Sequence, residues 1–554
     1  MKYKLSKDNP LHDVNRHINF FINRYYIFLV ILLMALAVFI RAYKFGLIPY
    51  GFNQDEAMSA LNGLTLSKYG TDYTGMSFPV YFTAWGVSQM NVLLSYILIP
   101  FFKIFGATVF TARLPLLIFS VISVWVLYRF SYAVFGKFAA LAVLFFITIN
   151  PWQIMISRWA LESNLFPIFV LYASYLLYLG IVKRKIYLYL SMLLFGLSMY
   201  SYGVSYYTVP LLLIILCVYF LYIKAVKIKH VLLCAFCCLL ISWPIFLMVI
   251  VNYFKLDTIK ISLMAVPYFP QSEQMNNILF FSCEIPFQFI NNVRNLVGTV
   301  FLQSNDMLWN SVPAVGPMYF LSLPFFVTGF ILMFIKFYKD KDLKNNSGMF
   351  IILSLFITAL ISGLITNDVN INRINLIFFP LVIFTGYAVF VICRRYKFLV
   401  IPVFIVFSLF FANFSAEYFS GGYSRELGRE FYYGFSDALL YVRNLNYDKL
   451  YITSDTQYKD SDYTSEIIAL YNLEIDNKYY LGKGNAYGPD GKVLPGYHLR
   501  YIYGISAEEV DIGDVNSVYV INKDEISCFY GVEKYYDFVQ FGSYYAVVNK
   551  NYSD

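Results

Sequence analysis

Four short strings in this 554-residue sequence hold side chains able to do chemistry. The first is Asn53-Gln-Asp-Glu56. Either acid could take a proton from an attacking hydroxyl or amine as a general base, or ligate a metal. A structural reading competes: Asn53 and Glu56 have the spacing of a capping box, and acids are favoured at the positive end of a helix. The second string, Ser157-Arg-Trp-Ala-Leu-Glu-Ser163, places Arg158 four residues before Glu162. On a surface helix such a pair contributes only about 0.3 kcal/mol, but ionisable residues beside a membrane point first to function. The third is Asn370-Ile-Asn-Arg-Ile-Asn375. Here the planar fork of Arg373 suits a phosphate, and amides such as Asn372 add neutral donors; snorkelling of the arginine to an interface is the alternative. The fourth groups Tyr200, Tyr202, Tyr206 and Tyr207, a sugar-stacking platform or part of a membrane aromatic belt. The four histidines, His12, His17, His230 and His498, suggest neither a metal site nor a triad.

The elements that must position these strings belong in a membrane. The chain is 59% hydrophobic, 20% aromatic and only 14% charged, against about 25% charged in soluble proteins. A soluble multidomain protein and a disordered chain are both excluded. The net charge of +8 lies in short basic clusters between apolar runs. Such clusters mark cytoplasmic loops, and nucleic acid is discarded as a partner. Seven cysteines (217, 234, 237, 238, 283, 393 and 528) show neither zinc spacing nor a disulfide framework.

Crossing the hydrocarbon takes about 20 apolar residues. The run 25–42 follows a basic N-terminal segment (1–24) and reads as an uncleaved anchor with a cytoplasmic N-terminus. Basic clusters at 394–397, 336–344, 224–229 and 183–185 place further spans near 163–182, 186–201, 205–223, 231–252, 317–337, 348–366, 371–393 and 397–414. Between Ala42 and Ser157 parity allows an even number of crossings for three apolar runs. Arg129 and Lys137 select 111–134 and 138–156 as the crossing pair and leave 87–105 in the outer leaflet. The expectation is a polytopic α-helical membrane protein of about 11 spans in the plasma membrane. Residues 25–414 form the transmembrane catalytic domain with external loops 43–110 and 253–316, and residues 415–554 form a small extracytoplasmic α/β domain. In that domain Lys449–Thr453, Ser517–Asn522 and Tyr544–Val548 read as strands, and Arg425–Val442 reads as an amphipathic helix.

In this order and on this side, an Asp-Glu pair in a long first external loop, Arg113-Leu-Pro115, Asn150-Pro, Ser-Arg-x-Ala-x-Glu and a late-span arginine resemble the GT-C fold membrane glycosyltransferases. The nearest branch is that of the protein O-mannosyltransferases and lipid A aminoarabinose transferases (glycosyltransferase family 39-like). The resemblance covers roughly 26–414. It implies Asp55, with Glu56 beside it, as catalytic acids; Arg373 and Arg158 on the donor phosphate; and Glu162, Asn372 and Tyr202 in support. It also implies a hexosyl or pentosyl transferase that takes its sugar from a polyprenyl phosphate and passes it to an extracytoplasmic glycan, lipid or protein. Many relatives carry a Lys or His before Pro-Pro-Leu in the first loop, where this chain has Trp85-Gly-Val-Ser-Gln-Met-Asn91; the acceptor stays open. No cofactor is required by these residues, although two acids would suit Mg²⁺ or Mn²⁺. A transporter or flippase for lipid-linked glycans would need polar groups at mid-membrane and related halves, and a glycan polymerase would differ mainly in its acceptor.

Overall fold

The computed structural model describes residues 20–85, 88–261, 264–270, 285–304, 306–340, 342–454, 463–487, 491 and 493–552. Lys2, Lys4, Lys7, Arg16, His12, His17, Gly86, Val87 and Cys283 lie outside the described residues. In chain order the bundle comprises α1 (Tyr26–Ala42), α2 (Gln54–Tyr69), α3 (Leu93–Phe105), α4 (Val109–Phe135), α5 (Lys137–Thr148), α6 (Pro151–Ile156), α7 (Leu165–Val182), α8 (Ile186–Ser198), α9 (Ser205–Tyr222) and α10 (Ile228–Tyr253). It continues with α11 (Ile285–Leu296), α12 (Ser322–Lys339), α13 (Leu343–Ile365), α14 (Ile371–Ile374), α15 (Phe378–Arg395) and α16 (Val400–Ser420). Among the described residues, eight helical segments are long and apolar enough to cross a membrane. The other three runs expected to span, 25–42, 138–156 and 186–201, hold the shorter apolar helices α1, α5 and α8. Within the run 87–105, the described residues fold as a short strand, Ser88–Met90, and then α3, which has 13 residues.

Local sequence sets the breaks. The expected span 138–156 is two helices, α5 and α6, not one. Pro151 lacks the N–H needed to continue the first helix, and Asn150 caps the second by accepting from the Gln153 amide at 3.0 Å. The stretch 157–161 is not helical, so Arg158 and Glu162 are not one turn apart on a helix face; Glu162 opens a single 3₁₀ turn, Glu162–Asn164. The expected helix Arg425–Val442 is likewise divided, into α17 (Gly422–Glu430) and α18 (Phe435–Val442). Tyr432 and Gly434 take left-handed φ values of 53° and 96° between them, which an α-helix cannot accommodate.

In the first loop β1 (Phe82–Ala84) and β2 (Ser88–Met90) form an antiparallel hairpin, and in the later loop β3 (Ile259–Ile261) pairs with β4 (Met264–Val266). The C-terminal domain holds β5 (Lys449–Ile452), β6 (Tyr501–Tyr503), β7 (Ser517–Asn522), β8 (Tyr536–Phe541) and β9 (Tyr544–Asn549) in the order β6-β5-β7-β9-β8. The first three run parallel and β9 joins them antiparallel. Its helix α19 (Tyr463–Asn472) packs on α2. The seam is polar as well as apolar. The Phe52 amide donates to the Phe431 carbonyl at 2.6 Å, Tyr432 Oη donates to Gln54 Oε1 at 3.1 Å, and Lys68 pairs with Glu474 at 2.6 Å. A Cβ on Gly51 would lie 2.0 Å from the Phe431 carbonyl oxygen, so only glycine lets the first loop pass there. The C-terminal domain therefore helps to hold the N-terminal end of α2.

Candidate active site

The start of α2 is built around Glu56. Asn53 accepts from the Asp55 amide at 2.9 Å, and the Asn53 amide donates to Glu56 Oε2 at 3.2 Å, so the capping box forms. Glu56 also receives Arg113 Nε on Oε1 at 2.8 Å, Arg113 Nη2 on Oε2 at 2.7 Å and the Ala160 amide on Oε1 at 2.6 Å. Both side chains of this ion pair are fully buried. The remaining donors of Arg113 go to the carbonyls of Gly46, Pro49 and Gly51. Glu56 is thus a buried knot joining α2, α4, the first loop and the second loop. None of its lone pairs is left for a substrate.

Asp55, one residue earlier, has the opposite character. Its half-buried carboxylate makes no side-chain hydrogen bond or ion pair among the described residues. Loss of hydration, and next the charge of Glu56, raise its pKa from the ordinary 3.8 to about 6. The Glu162 carboxylate lies close enough to repel it. Glu162 accepts from the Asn91 backbone amide, while its Oε2 is buried without a hydrogen-bond partner among the described residues. Around it stand Tyr81, Tyr202 and Tyr206. Asn91 ties this group together, donating to Tyr206 Oη at 2.9 Å and accepting from Tyr81 Oη at 3.4 Å.

Tyr202, in the turn between α8 and α9, completes the link across the site. It faces Arg373 within hydrogen-bonding reach and also feels the charges of Glu162 and Asp55. Arg373 sits on α14, which Asn370 caps by accepting from the Arg373 amide at 3.1 Å. Its Nη1 donates to the Asp368 carbonyl at 2.8 Å and lies 3.5 Å from the Asp368 carboxylate, which is largely exposed. The guanidinium is only partly exposed. Asn372 lies on the same short helix, half-buried and without a hydrogen bond among the described residues. Asn375 Nδ2 donates to the Ser163 carbonyl at 2.7 Å, which fixes this late segment against the second loop.

Arg158 is placed elsewhere. It is fully buried, and its Nη1 and Nη2 donate to the carbonyls of Ile40, Arg41, Tyr43 and Lys44 at the end of α1. Its guanidinium also stacks 5.0 Å from the Phe419 ring centre. It satisfies carbonyls that a helix C-terminus leaves unpaired, rather than facing an open cavity. Arg41 does the same for α5, with Nη1 and Nη2 on the carbonyls of Thr148 and Ile147 and Nε on Gln153. Among the described residues no group of three or more His, Cys, Asp and Glu is arranged to hold a metal ion. With Glu56 committed to Arg113, an ion would have Asp55 and Glu162 as its carboxylates. Sequence reasoning left out the partnership of Arg113 with Glu56 and the network of Tyr81, Asn91 and Tyr206. A lone arginine opening an apolar run was the signal for the first, and Asn91 among apolar residues for the second.

Residues 91–248 match the family profile described as dolichyl-phosphate-mannose-protein mannosyltransferase. No curated protein sequence matches the chain. Among solved structures, ArnT from Cupriavidus metallidurans in the apo state aligns at 13% identity and a TM-score of 0.53, over 94% of this chain and 97% of its own. The same protein bound to undecaprenyl phosphate aligns at 13% identity and a TM-score of 0.54, over 94% and 98%. Archaeoglobus fulgidus oligosaccharyltransferase AglB, in complex with an inhibitory peptide and a dolichol-phosphate, aligns at 14% identity and a TM-score of 0.49, over 96% and 75%. The fold is the GT-C fold, with a sheet-containing C-terminal domain, that the sequence motifs resembled.

Proposed function

We propose that this chain is a membrane glycosyltransferase that moves a hexosyl or pentosyl unit from a polyprenyl phosphate to a hydroxyl or amine of an extracytoplasmic glycan, lipid or protein. The observation that carries the reading is the Asp55 carboxylate. It is desolvated, has no hydrogen-bond or ion-pair partner among the described residues, and its charge acts on a tyrosine that faces the partly open Arg373. A base with pKa near 6 is ionised at neutral pH and still a better proton acceptor than an ordinary aspartate. The acceptor oxygen or nitrogen attacks the anomeric carbon and forms the new glycosidic bond. The bond from that carbon to the phosphate oxygen breaks, its electron pair leaves on the polyprenyl phosphate, and the acceptor proton passes to Asp55.

Arg373, with Asn372 and Tyr202 beside it, would take the charge growing on the departing phosphate. Glu162, with one carboxylate oxygen unpaired among the described residues, would accept from a sugar or acceptor hydroxyl. Glu56 and Arg158 are assigned to positioning instead of contact with substrate, because Glu56 accepts four donors inside the protein and the fully buried Arg158 has both Nη atoms on backbone carbonyls. The outward orientation is supported by Lys137, Lys183, Lys336 and Arg394, which lie at or just beyond helix ends remote from Asp55. The test uses the purified full chain with radiolabelled hexoses and pentoses on undecaprenyl phosphate and an envelope fraction as acceptor. Label should leave the carrier with the wild-type protein and stay on it with Asp55→Asn. Full transfer by that variant, or none from any carrier-linked sugar by the wild type, would overturn the proposal.

A further inference from the structure

A second site lies at the other end of the bundle. A cavity of about 490 Å³ opens between α5, α15 and α16, within the range of about 300–1,000 Å³ usual for ligand pockets. Its walls are apolar, with Phe138 and Leu141 from α5, Val389 from α15 and Phe404 from α16, and its lining ends in Arg394 and Lys397. The Phe404 wall is itself packed on Phe145, the two rings tilted with centres 4.2 Å apart. Helix α15 runs from the segment just after Arg373 to Arg395 over 18 residues. At 1.5 Å per residue a helix of that length separates its ends by about 27 Å, close to the thickness of the hydrocarbon core. The cavity and the candidate active site therefore face opposite leaflets.

From this juxtaposition of an apolar slot and two cations we infer that the cavity binds an anionic phospholipid of the leaflet opposite the active site, its phosphate between Arg394 and Lys397 and an acyl chain along α5 and α16. Neither cation forms an ion pair among the described residues. Asp340, whose charge acts on the same tyrosine as that of Arg394, instead accepts from Asn345 through its carboxylate and from Asn346 through its carbonyl. Basic pockets between transmembrane helices on the cytoplasmic side are a recurrent way of holding anionic head groups. Two other apolar grooves, one lined by Cys234 and Cys238 and one by Met34 and Trp125, have no cationic residue in their lining. The slot also lies where α16 most needs a neighbour. Its buried residues, Phe407, Phe414, Tyr418 and Phe419, all belong to its C-terminal two-thirds, while Ile401 and Ile405 face outward. A bound chain would supply packing there. A zwitterionic lipid would not serve equally, since its own cation already neutralises the phosphate.

The test is native mass spectrometry of the delipidated full chain, titrated with phosphatidylglycerol, with phosphatidylcholine of the same acyl chains, and with inorganic phosphate as competitor. Phosphatidylglycerol should bind preferentially, and excess inorganic phosphate should leave it bound. A basic residue near an anionic lipid surface is worth about a five-fold preference, so Arg394→Gln with Lys397→Gln should weaken phosphatidylglycerol roughly 25-fold and leave phosphatidylcholine unchanged. Equal binding of the two lipids, unchanged affinity in the double variant, or displacement of the lipid by inorganic phosphate would each overturn the proposal.

Discussion

Adjacent acids with opposite tasks should separate cleanly by mutation. In Glu56→Gln the amide presents one acceptor where the carboxylate held four donors, and Arg113 is left charged in a fully buried setting. Removing one partner of a buried pair costs about 3–5 kcal/mol. Asp55→Asn does the reverse. The folded carboxylate has a pKa raised from 3.8 to about 6, so the native state binds more protons than the unfolded state between those values. Stability from this group is lost as pH rises through that window, and above it the ionised carboxylate is a standing cost. At about 1.4 kcal/mol per pH unit the cost reaches at most about 3 kcal/mol. Thermal unfolding in nanodiscs at pH 7 should therefore show Glu56→Gln melting well below the wild type and Asp55→Asn at or above it, although Asp55→Asn has lost transfer. An unshifted melt for Glu56→Gln with loss of turnover alone would refute the structural role given to Glu56. Early melting of Asp55→Asn would refute the desolvated base.

Three further outcomes follow from the geometry. The kcat/KM for transfer should rise with pH along a single-proton limb with midpoint near 6 and then level, measured with saturating acceptor; a midpoint near 4 would mean that the base is well hydrated. Arg373→Gln should raise the KM for the polyprenyl donor by roughly 10- to 100-fold, the range for loss of hydrogen bonds to a charged group, with little change in the melt. Arg158→Met should behave the other way. It uncaps the carbonyls of Ile40, Arg41, Tyr43 and Lys44 and should lower the melting temperature, while the donor KM of the folded fraction stays that of the wild type.

The spans were legible because scarcity of charge and parity act over whole helices; it is parity, not length, that set α3 apart, since α5 and α8 are no longer than it. Asp55, Glu162, Tyr202 and Arg373 could be shortlisted for the same reason, since few polar groups occur near span ends. Their division of labour was not legible. Glu56 and Arg113 are 57 positions apart, and Arg158 binds backbone carbonyls more than 100 positions away, so sequence spacing carries no trace of either contact. The apparent i, i+4 relation of Arg158 and Glu162 misled because it presupposed a helix where the chain is extended or turning. In the C-terminal domain β7 and β9 stood out as apolar runs, whereas β6 is three residues long and directly follows a helical turn, leaving no alternation to detect. The break between α17 and α18 depends on left-handed Tyr432, a conformation that tyrosine gives no hint of in advance.

The most direct measurement is a cryo-EM reconstruction of the full chain with undecaprenyl phosphate in nanodiscs. The phosphate should lie within hydrogen-bond distance of the Arg373 guanidinium, beside Tyr202 and on the Asp55 side of α2. A phosphate held by Arg394 and Lys397 alone, or by any group remote from Arg373, would contradict the assignment of the donor site.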